Sequence, residues 1–220
     1  VGIVLTPFKG FNLSGNVGLM NDNTRYNALY SQFAGSSSVD GQAYVSHSRA
    51  FAVNSQLLAE YGTDFGGTDH HFDVLAGFEA YKVLSQSLSG QNDHLFDPFI
   101  GELNNADGKS NQYANSSTSQ YMTQGFLGRV QYNYAEKYFV SGSFRRDASS
   151  RFHKDHRWGN FGSVGAAWLI SGEDWMSGAS WVNMLKLKAS YGVQGNDNLG
   201  SYFPYSDQYS HSYNETTKEY

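Results

Sequence analysis

A charged segment near the middle of the chain, "FRRDASSRFHKDHRWG" at residues 144–159, contains the residue types best suited to chemistry. It holds four arginines, one lysine, two histidines and two aspartates, although only 16% of the chain is charged. Guanidinium and carboxylate groups at such short spacing form ion pairs or bind polar and anionic ligands. The segment therefore predicts a polar site whose role depends on the elements that position it.

Two short runs of histidine and aspartate resemble metal ligands. They are "DHH" at residues 69–71 and "HKDH" at residues 153–156. Imidazole and carboxylate groups at short spacing can bind zinc, but adjacent residues of a β-strand point to opposite faces. Ordinary turn and loop residues are therefore favoured at both places, and no metal site is predicted.

Paired carboxylates are a second kind of candidate, because glycosidases hold two carboxyl groups about 5 to 10 Å apart. The candidates are Glu79, Asp147, Asp155 and Glu173. The sequence has no G-x-S-x-G, Walker A, H-E-x-x-H or G-x-G-x-x-G motif. Ion pairing is therefore the expected role of these carboxylates, and the chain is predicted not to be an enzyme and to need no cofactor.

Composition indicates a β-rich protein. The 220 residues are 40% apolar and 16% aromatic, with 24 glycines and only 3 prolines. A formal net charge of −5 is unlike the basic surface of a nucleic-acid-binding protein, so nucleic acid is not an expected partner. The sequence has no cysteine, and no run approaches the roughly 18 apolar residues of a membrane helix.

Alternation of apolar and polar residues predicts long β-strands. In the clearest example, Leu187, Ala189 and Tyr191 alternate with Lys188 and Ser190. Strands are predicted at residues 8–20, 44–62, 71–85, 119–134, 137–149, 157–171 and 184–196, with residues 1–5 as the end of an earlier strand. A globular strand has about 5 or 6 residues. The greater predicted lengths are typical of transmembrane strands, in which about 9 to 11 residues cross the hydrocarbon.

The predicted connections alternate between two kinds. One side has residues 6–7, 63–70, 135–136 and 172–183, and the other has the longer, polar segments 21–43, 86–118, 150–156 and 197 onward. Outer-membrane barrels have short periplasmic turns and longer extracellular loops, and Tyr132, Tyr134 and Tyr138 cluster at one short turn as an interfacial girdle would. We therefore predict an all-β, antiparallel up-and-down sheet through a membrane, in which strand 137–149 runs outward.

This arrangement gives the charged segment a location. Arg145 and Asp147 share the face of their strand opposite to Phe144, which would be the lumen face of a barrel. Residues two apart on one face can pair with each other. Arg151 lies in the loop beyond, at the outer mouth, while Arg146 points toward lipid near the headgroups, where a basic side chain can snorkel.

Two longer stretches resemble a known family. They are "YFVSGSFRRDASSRFHKDHRWGNFGSVGAAWLISGEDWM" at residues 138–176 and "LKLKASYGVQGNDNLGSYFPY" at residues 185–205. They resemble the barrel of the SusC/RagA family of TonB-dependent outer-membrane transporters, in which R-x-D-x-S-S-R-F is followed by W-G-x-F-x-S-V-x-x-x-W and L-K-L-R-x-S-Y-G-x-T-G-N. The departures are mild, with Ala148, Gly162 and Gln194 where the family commonly has Gly, Pro and Thr.

The resemblance implies a fold and a function. Members of the family are plugged barrels of about 22 strands, so residues 1–220 are expected to be part of one barrel domain, with about eight strands and with the plug domain and TonB box absent from this chain. By resemblance, the whole protein imports oligosaccharides or peptides across the outer membrane of Bacteroidota. TonB supplies the energy, and a SusD-like surface lipoprotein serves as the lid.

The candidate substrate-binding residues lie at the predicted lumen mouth and in the outer loops: Arg145, Asp147, Arg151, Tyr202 and Tyr205. The flat, amphipathic faces of tyrosines suit both sugar rings and apolar peptide side chains. For any single tyrosine, loop packing or contact with the lid protein is the favoured explanation.

Two other classes of protein remain open on the sequence alone. A self-contained eight-stranded outer-membrane barrel with a structural role would close residues 1–5 on residues 185–193. A soluble glycan-binding β-domain, such as a sandwich, would also show alternating strands and polar loops. If the chain is a transporter segment, we expect neither closure into a small barrel nor a soluble domain. An open sheet in lipid needs further strands along both edges.

Overall fold

The computed structural model describes residues 1–33, 41–65, 69–107, 112–201 and 204–205. Within these ranges the chain forms one antiparallel sheet in which each strand pairs with the next in chain order. The strands are β1 Gly2–Phe8, β2 Phe11–Tyr30, β3 Gln42–Phe65, β4 His70–Asp93, β5 Tyr113–Tyr134, β6 Tyr138–Ser149, β7 Trp158–Leu169 and β8 Lys186–Val193. Short 3-10 helices lie at Lys154–His156, Ile170–Gly172 and Asp174–Met176. The predicted all-β, up-and-down architecture is confirmed.

No helix in the described ranges has the length and apolar character needed to cross a membrane.

The sheet has two chemically different faces, because the register keeps apolar residues opposite apolar residues over most of its width. One such row consists of Phe11, Tyr61, Val74, Val130, Gly142, Val164 and Tyr191. A row on the other face consists of Asn16, Gln56, Glu79, Gly125, Asp147 and Gly159. We call these the apolar face and the polar face.

Within the described residues, no other part of the chain covers the apolar face. Val164 is 64% exposed and Leu187 is 62% exposed. The buried apolar residues of the described chain are Ala43, Ala52, Val83, Leu95 and Ala148, and none of its large side chains is fully buried. A sheet without a core of its own needs an apolar environment outside it.

The two edges of the sheet are unpaired with each other. In the described chain β1 pairs with β2 alone, from Gly2 opposite Asn16 to Phe8 opposite Phe11, and β8 pairs with β7 alone. Closure of residues 1–5 on residues 185–193, which a self-contained eight-stranded barrel requires, is therefore not present. The described strands form an open sheet.

Several predicted strands were too short at the end that carries the long connections. Strands β2 to β5 have 20, 24, 24 and 22 residues, and segments 21–30, 86–93 and 113–118, predicted as loops, are strand. These segments are rich in Asn, Ser and Gln, so hydrophobic alternation disappears there, yet ladder pairing still satisfies their backbone groups. At about 3.3 Å per residue, a 24-residue strand is about 80 Å long.

The first turn was predicted at the wrong place. Thr6 and Pro7 lie within β1, at a register irregularity between Leu5 and Phe8, where a proline without an N–H group is tolerated. The chain reverses instead at residues 9–10, where Gly10 adopts a φ of 84°. The predicted turn at residues 135–136 is present, with Lys137 N–H donating to the Tyr134 carbonyl at 3.0 Å.

Candidate functional site

The charged segment lies where β6 ends, on the polar face. Asp147 stands opposite Gly125 of β5, and a Cβ atom at position 125 would collide with the Asp147 carboxylate. The glycine therefore provides the space in which this carboxylate turns back toward Arg145.

Arg145 joins two carboxylates. Its Nη2 atom lies 2.9 Å from Glu79 Oε2 and 3.2 Å from Asp147 Oδ1, and its Nε donates to Asp147 Oδ2 at 3.2 Å. Gln56 Nε2 donates to Glu79 Oε1 at 2.7 Å. This ion-pair network spans β3 to β6, and its three charged side chains are 33% to 44% exposed. It combines one positive with two negative charges and so leaves an excess negative charge at the surface.

A second cluster surrounds Asp197, just after β8. Tyr121 Oη and Ser149 Oγ donate to Asp197 Oδ2 at 2.6 and 2.8 Å. Arg151 Nη1 donates to the Asp197 carbonyl at 2.8 Å and to Asn198 Oδ1 at 3.3 Å, and its guanidinium lies 4.8 Å from the centroid of the Tyr121 ring. We call Tyr121, Ser149, Arg151 and Asp197 the Asp197 cluster.

Burial and hydrogen bonding act in opposite directions on the Asp197 carboxyl. Burial alone would raise its pKa, but the hydrogen bonds from Tyr121 and Ser149 and the positive charge of Arg151 together hold the pKa below its ordinary value of 3.8. The carboxyl is therefore ionised at neutral pH, and its hydrogen bonds are charge-assisted.

A cavity of about 650 Å³ lies between the ion-pair network and the Asp197 cluster. On the polar face its aromatic lining residues are Tyr81, Tyr121, Phe152 and Phe161. This volume is within the range of small-molecule sites, about 300 to 1,000 Å³. Charged groups beside aromatic faces suit an amphipathic ligand such as a sugar or a short peptide.

The structure brings some of the predicted site residues together. Arg145 and Asp147 pair as expected, and Arg151 lies in the adjoining Asp197 cluster. Tyr205 packs edge-on against His153, with ring centroids 5.9 Å apart, whereas Tyr202 lies outside the described residues. Whether these residues contact a substrate stays a prediction.

The other candidate residues have local partners. In the described chain, no group of three His, Asp or Glu side chains converges as a metal site would require. His71 Nδ1 lies 2.5 Å from Asp64 Oδ1, and His71 Nε2 lies 2.9 Å from Asp73 Oδ2. His153 Nδ1 lies 3.3 Å from Asp155 Oδ2. Glu79 and Asp147 both bind Arg145, which is an ion-pair arrangement.

At the opposite end of the sheet, aromatic side chains surround Glu173. Tyr138 Oη and Trp168 Nε1 donate to Glu173 Oε1 at 2.6 and 2.8 Å, and these hydrogen bonds lower the pKa of Glu173 below its ordinary value of 4.5. The rings of Tyr134, Tyr138 and Trp168 stack in succession on the apolar face. Such a belt is typical of a membrane interface.

Long up-and-down strands, an apolar face that the described chain leaves uncovered and a polar face with partly exposed charge networks are typical of a section of a larger β-barrel wall. No family model matches the chain. It is 34% identical over 133 residues to TonB-dependent receptor P39 of Formosa agariphila, covering 60% of this chain and 13% of that protein. It is 28% identical over 162 residues to TonB-dependent receptor SusC of Bacteroides thetaiotaomicron, covering 72% of this chain and 15% of SusC.

The fold matches a solved transporter. A structure described as the RagAB peptide transporter superimposes with a TM-score of 0.86 at 23% identity, over 94% of this chain and 24% of that one. The chain spans 13% to 15% of the two curated relatives named above. The resemblance to the SusC/RagA family is thereby confirmed, and the chain corresponds to a barrel segment of a SusC/RagA-like TonB-dependent transporter.

Proposed function

We propose that this chain forms part of the barrel wall and extracellular loops of an outer-membrane transporter that actively imports an oligosaccharide or peptide nutrient. The observation that carries the proposal is the register of the sheet, which separates a continuous apolar face from a polar, charge-bearing face, while none of the large side chains in the described ranges is fully buried. In this arrangement lipid covers the apolar face, and the polar face lines the lumen.

The dimensions of the apolar face support a membrane-spanning position. The interfacial belt contains Tyr138 at one end of β6, and Arg146 lies 5.2 Å from the Trp158 ring centroid near the other end. Eight residue steps separate Tyr138 from Arg146, or about 26 Å along the strand and about 20 Å along the membrane normal at a tilt of about 40°. This height is close to the apolar band of outer-membrane barrels, about 25 Å.

The orientation follows from the connections. The end with the turns at residues 9–10 and 135–137 is periplasmic, and the end with the long projecting strands β2 to β5 is extracellular. The cavity beside Arg145 and Asp147 then opens near the outer mouth, and Arg151, Tyr202 and Tyr205 complete the proposed substrate-contacting set.

The remaining parts of the transporter lie elsewhere in the protein or in partners. Residues 1–220 belong to one barrel domain, and both open sheet edges pair with further strands of the same barrel. A plug domain and a TonB box outside this chain couple transport to TonB, and a SusD-like surface lipoprotein covers the outer mouth. The chain has no catalytic role in this proposal, which the relatives' names as receptors and transporters support.

The proposal is tested in the source bacterium with the full-length protein. Deletion of its gene is expected to abolish growth on at least one oligosaccharide or peptide nutrient, and the complementing protein is expected in the outer-membrane fraction with heat-modifiable migration. Arg145→Met combined with Asp147→Asn is expected to reduce uptake at an unchanged protein level, whereas Asp155→Asn, in the loop at residues 150–157, serves as the control.

A full-length protein that is monodisperse in water without detergent would instead identify the soluble glycan-binding class. Normal uptake by the Arg145 and Asp147 double variant would remove these residues from the substrate-contacting set and leave the transport class in place.

A further inference from the structure

The chain turns back across the polar face after β8. Strand β8 pairs only with β7 in the described chain, yet the five residues that follow it, 194–198, reach β5 and the end of β6. Asp197 contacts Tyr121 and Ser149, which are 76 and 48 residues away in the sequence. We call residues 194–198 the strap.

One carboxylate attaches the strap to the sheet. Tyr121 from β5 and Ser149 from β6 donate to the Asp197 side chain, and Arg151 from the following loop donates to its carbonyl. Ser149 is only 6% exposed, so its hydrogen bond to Asp197 is shielded from solvent while the strap is in place. Three elements of the fold therefore converge on Asp197.

The strap also fits the surface beneath it. A Cβ atom at Gly195 would collide with the Phe161 ring, and a Cβ atom at Gly159 would lie 2.6 Å from the same ring. The Phe161 ring therefore lies against the backbone of both glycines, one in the strap and one in β7. Close approach of this kind requires residues without side chains.

The strap bounds the cavity described above. Gly195, Asn196 and Asp197 line it together with residues of β3 to β7. Movement of the strap would open this cavity, because those three residues form one of its walls.

We propose that the strap is a latch over the cavity and that the Asp197 carboxylate is its attachment point. While Asp197 occupies the donors of Tyr121 and Ser149, the strap closes that side of the cavity. When Asp197 leaves them, the strap moves away and the cavity opens on that side. The latch depends on contacts within the chain and holds whether or not the cavity binds a transported nutrient.

The first experiment measures the motion of the strap in the full-length, detergent-solubilised protein. A nitroxide at position 199 follows the strap directly, because Leu199 is 47% exposed. Its spectrum is expected to show restricted motion in the parent protein and fast motion after Asp197→Ala. Asp197→Asn is expected to be intermediate, since an amide oxygen still accepts hydrogen bonds but carries no charge. Asp155→Ala is the control, because Asp155 is exposed and pairs only with His153 among the described contacts.

The second experiment measures access to the cavity. A cysteine at position 123, on the cavity wall, is expected to react with a polar thiol reagent at least about tenfold faster after Asp197→Ala, the effect of losing hydrogen bonds to a charged group. The double variant Tyr121→Phe with Ser149→Ala should accelerate the cysteine reaction equally without altering the strap. If Asp197→Ala loses heat-modifiable migration, this double variant is used in its place.

Unchanged label motion and unchanged cysteine reactivity in the folded variants would overturn the latch. An equal effect of Asp155→Ala would overturn it as well, because the loop would then be generally loose. If the variants lost nutrient uptake while label motion and cysteine reactivity stayed unchanged, the latch would still be refuted. The loss of uptake would then concern the proposed function alone.

Discussion

Arginine in place of Val164 tests which face of the sheet meets lipid. Val164 is 64% exposed, lies opposite Gly142 and Tyr191 in the apolar row, and is near the middle of β7. It is also between Trp158 and Trp168, the ends of the apolar face on β7. A lipid-facing arginine near the bilayer midplane destabilises a barrel by about 2 to 4 kcal/mol.

The matched control places the same side chain on the polar face. Ser190 of β8 stands opposite Gly165, one pair away from Val164 and Tyr191. Since a surface substitution usually changes stability by about 0.5 kcal/mol or less, Ser190→Arg is expected to be nearly neutral. Each 1.4 kcal/mol changes an equilibrium constant tenfold. The folding equilibrium constant of Val164→Arg is therefore expected to be about 30-fold to 700-fold smaller than that of Ser190→Arg.

The assay is urea titration of the full-length protein refolded into phospholipid vesicles, with the folded fraction measured by heat-modifiable migration. Val164→Arg should lower the free energy of unfolding at an unchanged m-value. Equal destabilisation by the two arginines, or a larger effect of Ser190→Arg, would refute the assignment of the faces.

Three further predictions follow from local geometry. Arg145→Ala should lower the free energy of unfolding by about 1 to 2 kcal/mol, because it leaves two partly exposed carboxylates without their shared cation, and full stability in urea titration would contradict the ion-pair network. Gly10→Ala should cost about 1 to 2 kcal/mol, because φ is 84° and a Cβ atom would collide with a backbone carbonyl, whereas Gly178→Ala, with open space around it, should be neutral in the same titration. Because the Asp197 pKa is lowered in the folded state, its contribution is fully present above the ordinary pKa of 3.8 and is lost as pH falls through the folded value, so a nitroxide at position 199 should gain motion only below about pH 4. A gain of motion that is already complete at pH 5 would contradict Asp197 as the group that holds the strap.

The two faces and the strand order could be predicted from the sequence. Because side chains alternate strictly along a strand, Leu187 and Lys188 had to lie on opposite faces, and Arg145 and Asp147 had to share one. Short turns between successive segments also made chain-order pairing the simplest topology. These inferences depend on local sequence alone, and the structure confirms them.

Features that depend on register or on long-range contacts could not be predicted. Glu79 becomes a partner of Arg145 only because β4, β5 and β6 align Glu79, Gly125 and Asp147 in one row. The lengths of the projecting strands were underestimated because both of their faces are polar there. Asp197 was predicted only as the start of a long polar connection, since no local pattern shows that a carboxylate will meet a hydroxyl 76 residues away.

The most direct test of the central claim is the accessibility of nitroxides on the two faces of the full-length protein in lipid vesicles. Labels replacing Phe126 and Leu187 are expected to collide mainly with oxygen dissolved in the bilayer, and labels replacing Arg129 and Lys188 mainly with a water-soluble nickel complex. The reverse pattern, with the nickel complex reaching Phe126 and Leu187 while Arg129 and Lys188 are shielded, would contradict a wall between lipid and an aqueous lumen.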